Sequence, residues 1–332
     1  MKQTLSDLDL AALCEHWNLS PVLNTAIPES GTIHCTRLLT THRSRYALRA
    51  YRYSPNDRWR IDCEHALIAY VRERGVPAIA PLPLPSGETL LESEGRFYAL
   101  FPFAPGSQVR RGEIGSAQAE AMGAALAKLH RVLADYPPER VPQRSLKSDL
   151  ADTLAGIERI EQAIGARPQT DETDALVLRR LGERRAWLLA TTPGGGADLT
   201  TLEQQVIHGD YQDTNLFFEQ SRVSAIIDWD QSYVAPRAWE VVRALHYVFK
   251  FDTALCHAFI QAYRLVLSLS LEELDSAARA YSWKRAHDLW LYEELYLRDN
   301  RRVLAFLDLE RHFTPVVELW VRIRPALQEM LE

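Results

Sequence analysis

Val206-Ile-His-Gly-Asp-Tyr-Gln-Asp-Thr-Asn215, followed twelve residues after Asn215 by Ile227-Asp-Trp-Asp230, decides how the rest of this chain is read. Val206 and Ile207 are a short apolar pair, so Asp210 is expected just past a strand end, with Gly209 letting the backbone turn tightly or come close to a ligand. Asn215 opens the run Leu216-Phe217-Phe218. That run, the polar turn Glu219-Gln-Ser-Arg222 and the stretch Val223-Ser-Ala-Ile-Ile227 together predict a β-hairpin. Its open ends would set Asn215 and Asp228 side by side. An amide carbonyl and a carboxylate placed there suit a hard divalent cation that keeps several of its waters.

Phosphoryl transfer asks a protein for few groups: a carboxylate to position the attacking hydroxyl, and oxygen ligands to hold Mg²⁺ against the phosphates. The quoted stretch contains both. His208-Gly-Asp210 with Asn215 five residues on, then a strand ending in Ile-Asp-Trp-Asp, resembles the aminoglycoside phosphotransferase and choline kinase-like superfamily. Three matching residues alone would mean little; the order and spacing make the resemblance specific. It implies an α+β, bilobal protein-kinase-like fold, with an antiparallel sheet plus helix in a small N-terminal lobe and a larger, mainly helical C-terminal lobe. It also implies that Asp210 is the catalytic aspartate, that Asn215 and Asp228 are the metal ligands, that Mg²⁺ is the cofactor, and that ATP or GTP is the co-substrate.

A nucleotide site further needs a cation on the phosphates, usually a strand lysine oriented by a helix glutamate. Arg45-Tyr-Ala-Leu-Arg-Ala-Tyr-Arg52 alternates as a strand, with Tyr46, Leu48 and Ala50 on one face and Ala47, Arg49 and Tyr51 on the other. Arg49 is the candidate cation, a departure from the commoner lysine; guanidinium keeps the charge but is larger and forked. Of the arginines clustered at 43, 45, 49, 52, 58 and 60, the others read as a solvated strand face. Residues 59–74 predict a helix that ends before Gly75 and Pro77. Glu64 lies in it and matches the helix glutamate of the superfamily. Two strand-like runs, Glu88-Thr-Leu-Leu-Glu92 and Arg96-Phe-Tyr-Ala-Leu-Phe101, flank a Glu94-Gly95 turn, and the second breaks at Pro102-Phe-Ala-Pro-Gly106. By the resemblance this is the hinge that meets adenine, with Phe101 and Phe103 as candidate nucleotide contacts. The division that follows is a nucleotide-binding lobe at 1–101, a hinge at 102–107 and a catalytic and acceptor-binding lobe at 108–332. Glu29-Ser-Gly-Thr32 stands where a phosphate loop would, with a single glycine, and no GxxxxGK[ST] motif occurs.

Composition fits without deciding. The 332 residues suffice for two cores, at 47% hydrophobic and 25% charged, and a net charge of −6 gives no nucleic-acid footprint. Cys14, Cys35, Cys63 and Cys256 form no CxxC pair, and neither a signal peptide nor a run of about 18 apolar residues is present, so a cytoplasmic protein without membrane partners is expected.

Helical periodicity is read at 116–134, 150–189, 253–267, 271–297 and 303–331, with Thr191-Thr-Pro-Gly-Gly-Gly-Ala197 as a connector. His130 reads as packed, Glu240 as structural, and Trp283, Trp290, Tyr292 and Tyr296 as core. Glu293, Glu294 and Asp299 would suit a polycationic acceptor, yet Arg298, Arg301 and Arg302 lie beside them and offer local pairing instead. The expected function is transfer of the γ-phosphoryl group to a hydroxyl of a small molecule: an amino alcohol, a homoserine-like compound, a sugar or an aminoglycoside. Two alternatives stand. A stress-response type serine/threonine protein kinase is similar at Phe97-Tyr-Ala-Leu-Phe-Pro-Phe-Ala-Pro-Gly106, and an inactive nucleotide-binding pseudokinase is suggested by Arg49 and the poor glycine loop. Oligomeric state is not legible.

Overall fold

The structure is a computed structural model that describes residues 7–19, 21–28, 35–110, 112–191, 199–307 and 312–331. The considered phosphate loop at 29–32 and the connector at 192–197 lie outside the described residues. The chain divides into two compact units. One comprises residues 1–143, 205–235 and 254–268; the other comprises 144–204, 236–253 and 269–332.

The first unit opens with helix α1 (Asp7–Glu15) and an antiparallel sheet of β1 (Val22–Ala26), β2 (Cys35–Thr41), β3 (Arg45–Ala50), β4 (Leu91–Ser93) and β5 (Arg96–Pro102), in the order β1-β2-β3-β5-β4. Strand alternation gives the sheet two apolar faces. Leu39, Leu48, Ala50, Tyr98 and Leu100 pack against Leu10, Leu13 and Cys14 of α1 and against Trp17 just beyond it, whose indole N–H donates to the Leu82 carbonyl at 3.2 Å. On the other face Tyr51, Phe97 and Ala99 gather around Ile61 of α2 (Arg58–Glu73). Arg49 belongs to that second face by parity, which is why it meets a glutamate of α2 rather than solvent. Opposite it in the register stands Ala99, a residue small enough to leave room for a guanidinium.

The same unit contains α3 (Ser116–Leu133), β6 (Gln204–Ile207), the hairpin β7 (Leu216–Glu219) and β8 (Arg222–Ile226), β9 (Tyr233–Pro236) and α7 (Thr253–Arg264). The predicted hairpin is present, with Leu216 against Ile226 and Phe217 against Ala225. Its outer edges are stitched to the segments that follow α2 and β5. Ile226 donates to the Pro77 carbonyl at 2.8 Å, and Ser107 and Phe218 exchange backbone bonds at 3.0 and 2.8 Å. Gly106 makes that approach possible: its φ is +83°, and a Cβ there would stand 2.4 Å from the Phe218 carbonyl oxygen.

The second unit is helical: α4 (Leu150–Gly165), α5 (Glu172–Thr191), α6 (Arg237–Tyr247), α8 (Leu271–Ala286), α9 (Trp290–Tyr296) and α10 (Val316–Leu331). Three periodic blocks prove to be broken; the one expected at 303–331 has a 3₁₀ turn at Arg301–Phe306 and no helix at 312–315 before α10 begins at Val316. The block at 150–189 splits around 166–171, where Pro168 cannot continue a helix. The block at 271–297 splits at 287–289, where the buried Arg184 donates to the carbonyls of Arg285, Ala286 and Asp288 and so takes over the acceptors left open at the end of α8. Tyr292 and Tyr296 pack into the core with Ile157, Ile160 and Leu181, as expected, whereas Trp290 is exposed. Glu294 pairs with Arg298 and accepts from Asn300, and Arg301 sits 3.7 Å from Asp299, so these charges are paired locally.

Candidate active site

Asp210 follows β6 through Gly209, which adopts φ +81° with the carbonyl oxygen of Gln231 only 2.0 Å from where a Cβ would lie. Any other residue there would displace the 229–232 loop. The backbone N–H of Asp210 donates to Nδ1 of His208 at 3.2 Å, so that nitrogen is the acceptor and Nε2 carries the proton that points at the Ile227 carbonyl, 3.1 Å away. The His208 ring lies 4.6 Å from that of Trp229. A wholly buried histidine thus ties the aspartate's loop to the strand end that delivers Asp228.

The Asp210 carboxylate is fixed on one side. Asn215 Nδ2 donates to its Oδ2 at 2.8 Å and to its backbone carbonyl at 2.9 Å, while Gln212 Nε2 donates to the same Oδ2 at 2.8 Å. With the Asn215 amide nitrogen committed in this way, its Oδ1 is the end able to meet a cation. Ile227 donates to the Asn215 backbone oxygen at 3.0 Å, so the hairpin's ends pair Asn215 with the residue just before Asp228. Asp228 has φ 67°, in the left-handed region, a strain of about 1 kcal/mol or more for a residue with a Cβ.

Arg49 spans two carboxylates: Nη1 reaches Glu64 Oε1 at 3.0 Å and Nη2 reaches Asp228 Oδ1 at 3.1 Å. Burial alone would lower the guanidinium's pKa, but Glu64 and Asp228 hold it above its ordinary value. Glu64, only 4% exposed, is pushed up to about 7, chiefly by burial, with Asp230 and Asp228 adding to the rise and Arg49 offsetting part of it. Three carboxylates therefore act on one guanidinium. No group of three or more His, Cys, Asp or Glu forms a metal cage among the described residues. A two-ligand oxygen set that leaves room for waters and phosphates is what Mg²⁺ accepts.

The raised pKa sets a pH dependence. Because Glu64 binds its proton more tightly folded than at its ordinary 4.5, its contribution to stability is whole below 4.5 and is lost as pH rises through about 7. Pairing with Arg49 strengthens over the same window. We expect the melting temperature of the wild type to fall relative to Glu64→Gln between pH 4.5 and 7 while nucleotide affinity rises, and parallel pH curves for the two proteins in thermal melts would refute this.

Phe101 and Phe103 differ in position. The Phe101 ring is 5.4 Å from the Arg49 guanidinium carbon and edge-on to His65 at 6.2 Å. Phe103 donates its backbone N–H to the Arg45 carbonyl at 3.0 Å, and its ring lies under the Arg45 guanidinium at 3.7 Å. The amide of Phe103 is therefore committed to β3, and its ring is stacked under Arg45.

Sequence reasoning missed Gln212, and Tyr51 and His65 behind Arg49. The Tyr51 hydroxyl meets His65 Nε2 at 3.0 Å, and His65 Nδ1 meets Thr89 at 2.8 Å. Burial and the charge of Arg49 lower His65 to about 4, so it is neutral near pH 7 and adds no competing charge. Gln212 lies two residues past Asp210 and carried no pattern of its own. Replacing it by leucine should lower kcat about 10-fold with the nucleotide KM unchanged, since only the carboxylate's orientation is lost; a shifted KM with intact kcat in steady-state kinetics would contradict this.

Residues 26–281 match the model of the phosphotransferase enzyme family. The homoserine kinase of Bradyrhizobium diazoefficiens is 27% identical over 277 residues, 81% of this chain and 78% of that protein. Among solved structures, spectinomycin phosphotransferase in complex with ADP and spectinomycin aligns with a TM-score of 0.72 at 15% identity, covering 97% of this chain and 99% of that one. A microcompartment-associated aminopropanol kinase aligns at 0.61 and 15% identity, over 98% and 99%.

Proposed function

The chain belongs to the phosphotransferase enzyme family, with its α+β, bilobal protein-kinase-like fold, and we propose that this phosphotransferase moves the γ-phosphoryl group of ATP or GTP to the hydroxyl of a small amino alcohol of the homoserine type. The observation that carries this reading is the convergence of Asp210, Asn215 and Asp228 with the Arg49–Glu64 pair in one compact unit. The acceptor class rests on relatives that span about four-fifths of the chain and are homoserine kinases. Glu294 is paired with Arg298 and Asn300, and Asp299 lies 3.7 Å from Arg301, so two of the three acidic groups that would suit a polycationic aminoglycoside already have local partners.

Asp210 acts as base. Gln212 and Asn215 both hold Oδ2, so Oδ1 is the oxygen that neither of them holds and that takes the acceptor's hydroxyl proton. Asn215 Oδ1 and Asp228 would hold Mg²⁺, which when bound supplies charge neutralisation between the phosphates. Arg49, oriented by Glu64, steadies the phosphates, and the rings of Phe101 and Phe103 offer apolar surface to the base. We keep the lobe limits at 1–101 and 108–332, with 102–107 as the hinge. The pseudokinase alternative loses ground because all three chemical positions are filled by competent residues. No helix among the described residues is long and apolar enough to cross a membrane.

The test is Mg²⁺-dependent consumption of ATP and GTP against homoserine, other amino alcohols, sugars, aminoglycosides and a generic protein. Turnover stimulated by homoserine or an amino alcohol is the expected result. Stimulation by sugars or aminoglycosides alone would overturn the acceptor class. Phosphorylation of the protein alone would favour the protein-kinase alternative, and no turnover at all would overturn the enzymatic reading.

A further inference from the structure

The two arms of Arg49 end on carboxylates that come from different parts of the chain, Glu64 on α2 and Asp228 at the end of the hairpin. A lysine's ammonium is a single point of charge on a flexible stem. It cannot hold two such groups apart and in place as a planar fork does. Asp228 is also the residue that, on the function proposed above, ligates the divalent cation. Guanidinium and metal therefore address one carboxylate, and their like charges oppose joint occupancy until further negative charge enters the site. Nucleotide phosphates bring that charge, and they attract the guanidinium as well as the metal.

On the basis of that reading, we propose that Arg49 is a positioning residue that couples metal to nucleotide: its Nη2 arm suppresses divalent binding to Asp228 by itself, and phosphates relieve the suppression. The metal then enters with the nucleotide, and by linkage the nucleotide binds better with the metal to the same degree. Glu64 sets the strength of the device, because it is the alternative anchor that shares the guanidinium with Asp228.

The experiment measures Mn²⁺ binding to the full chain from the loss of the free-ion electron paramagnetic resonance signal, and fluorescent ATP-analogue binding with and without Mg²⁺. Arg49→Lys keeps the charge and removes the fork, so it should bind Mn²⁺ alone at least about five-fold more tightly and show a smaller Mg²⁺ effect on the analogue. Glu64→Gln leaves the fork leaning on Asp228 and should bind Mn²⁺ alone more weakly. General loosening of the fold would shift both variants in the same direction; opposite signs are the signature. Equal Mn²⁺ affinity in Arg49→Lys and wild type overturns the coupling role and leaves the kinase reading, which the acceptor assay decides separately. Mn²⁺ binding unaffected by Asp228→Asn overturns both the coupling and the metal role of Asp228. Should Arg49→Lys not fold, Glu64→Gln decides alone: unchanged or tighter Mn²⁺ binding refutes the proposal.

Discussion

Asp210→Ala is expected to lower acceptor-stimulated turnover by about 10³-fold while nucleotide affinity changes by less than about two-fold. The separation follows from where the carboxylate is held. Asp210 is gripped by Gln212 and Asn215, whereas Arg49 is engaged by Glu64 and Asp228. Truncating Asp210 removes the base but leaves its backbone carbonyl, which still accepts from Asn215 Nδ2 at 2.9 Å and keeps that amide oriented, and it does not touch the guanidinium. Isothermal titration with a non-hydrolysable ATP analogue, beside steady-state kinetics, measures both quantities. Turnover within ten-fold of wild type would remove Asp210 from the base role.

The second large effect is expected at Asp228, and there the choice of variant matters. The residue has φ 67°, which asparagine tolerates about as well as aspartate but alanine does not. Asp228→Ala therefore mixes lost charge with added backbone strain of about 1 kcal/mol. Asp228→Asn isolates the charge. We expect Asp228→Asn to keep its melting temperature within a few degrees and to lose about 10³-fold in kcat/KM, with nucleotide affinity falling as well, unlike Asp210→Ala. A variant that binds Mg²⁺–nucleotide normally would show that the ion is held elsewhere.

These two residues were both named from the motif, and the contrast between them came from their surroundings. His208-Gly-Asp210, the apolar pair before it and the hairpin after it are local patterns, since period-two alternation and turn residues encode which way each side chain faces. Local pattern also placed Arg49 on the face away from Leu48, and Glu64 on a helix of the right extent. It could not show that Glu64 is buried, because burial depends on what another segment lays over it. It also read 150–189, 271–297 and 303–331 as longer helices than exist. In the second case the break is marked by Arg184, a residue about a hundred positions away whose guanidinium is drawn to carbonyls at the end of α8.

What the sequence determined by itself was the inventory: an aspartate after a strand, an asparagine and a second aspartate at the two ends of a hairpin, a strand cation and a helix glutamate. Only the tertiary structure decided that Arg49 reaches Asp228 across 179 positions, that Gln212 and Asn215 converge on one oxygen of Asp210, and that Glu64 is pushed up to about 7. The physical reason is that periodicity fixes the face a residue presents. Charge coupling and burial depend on distances between segments, and those are set only when the chain has packed.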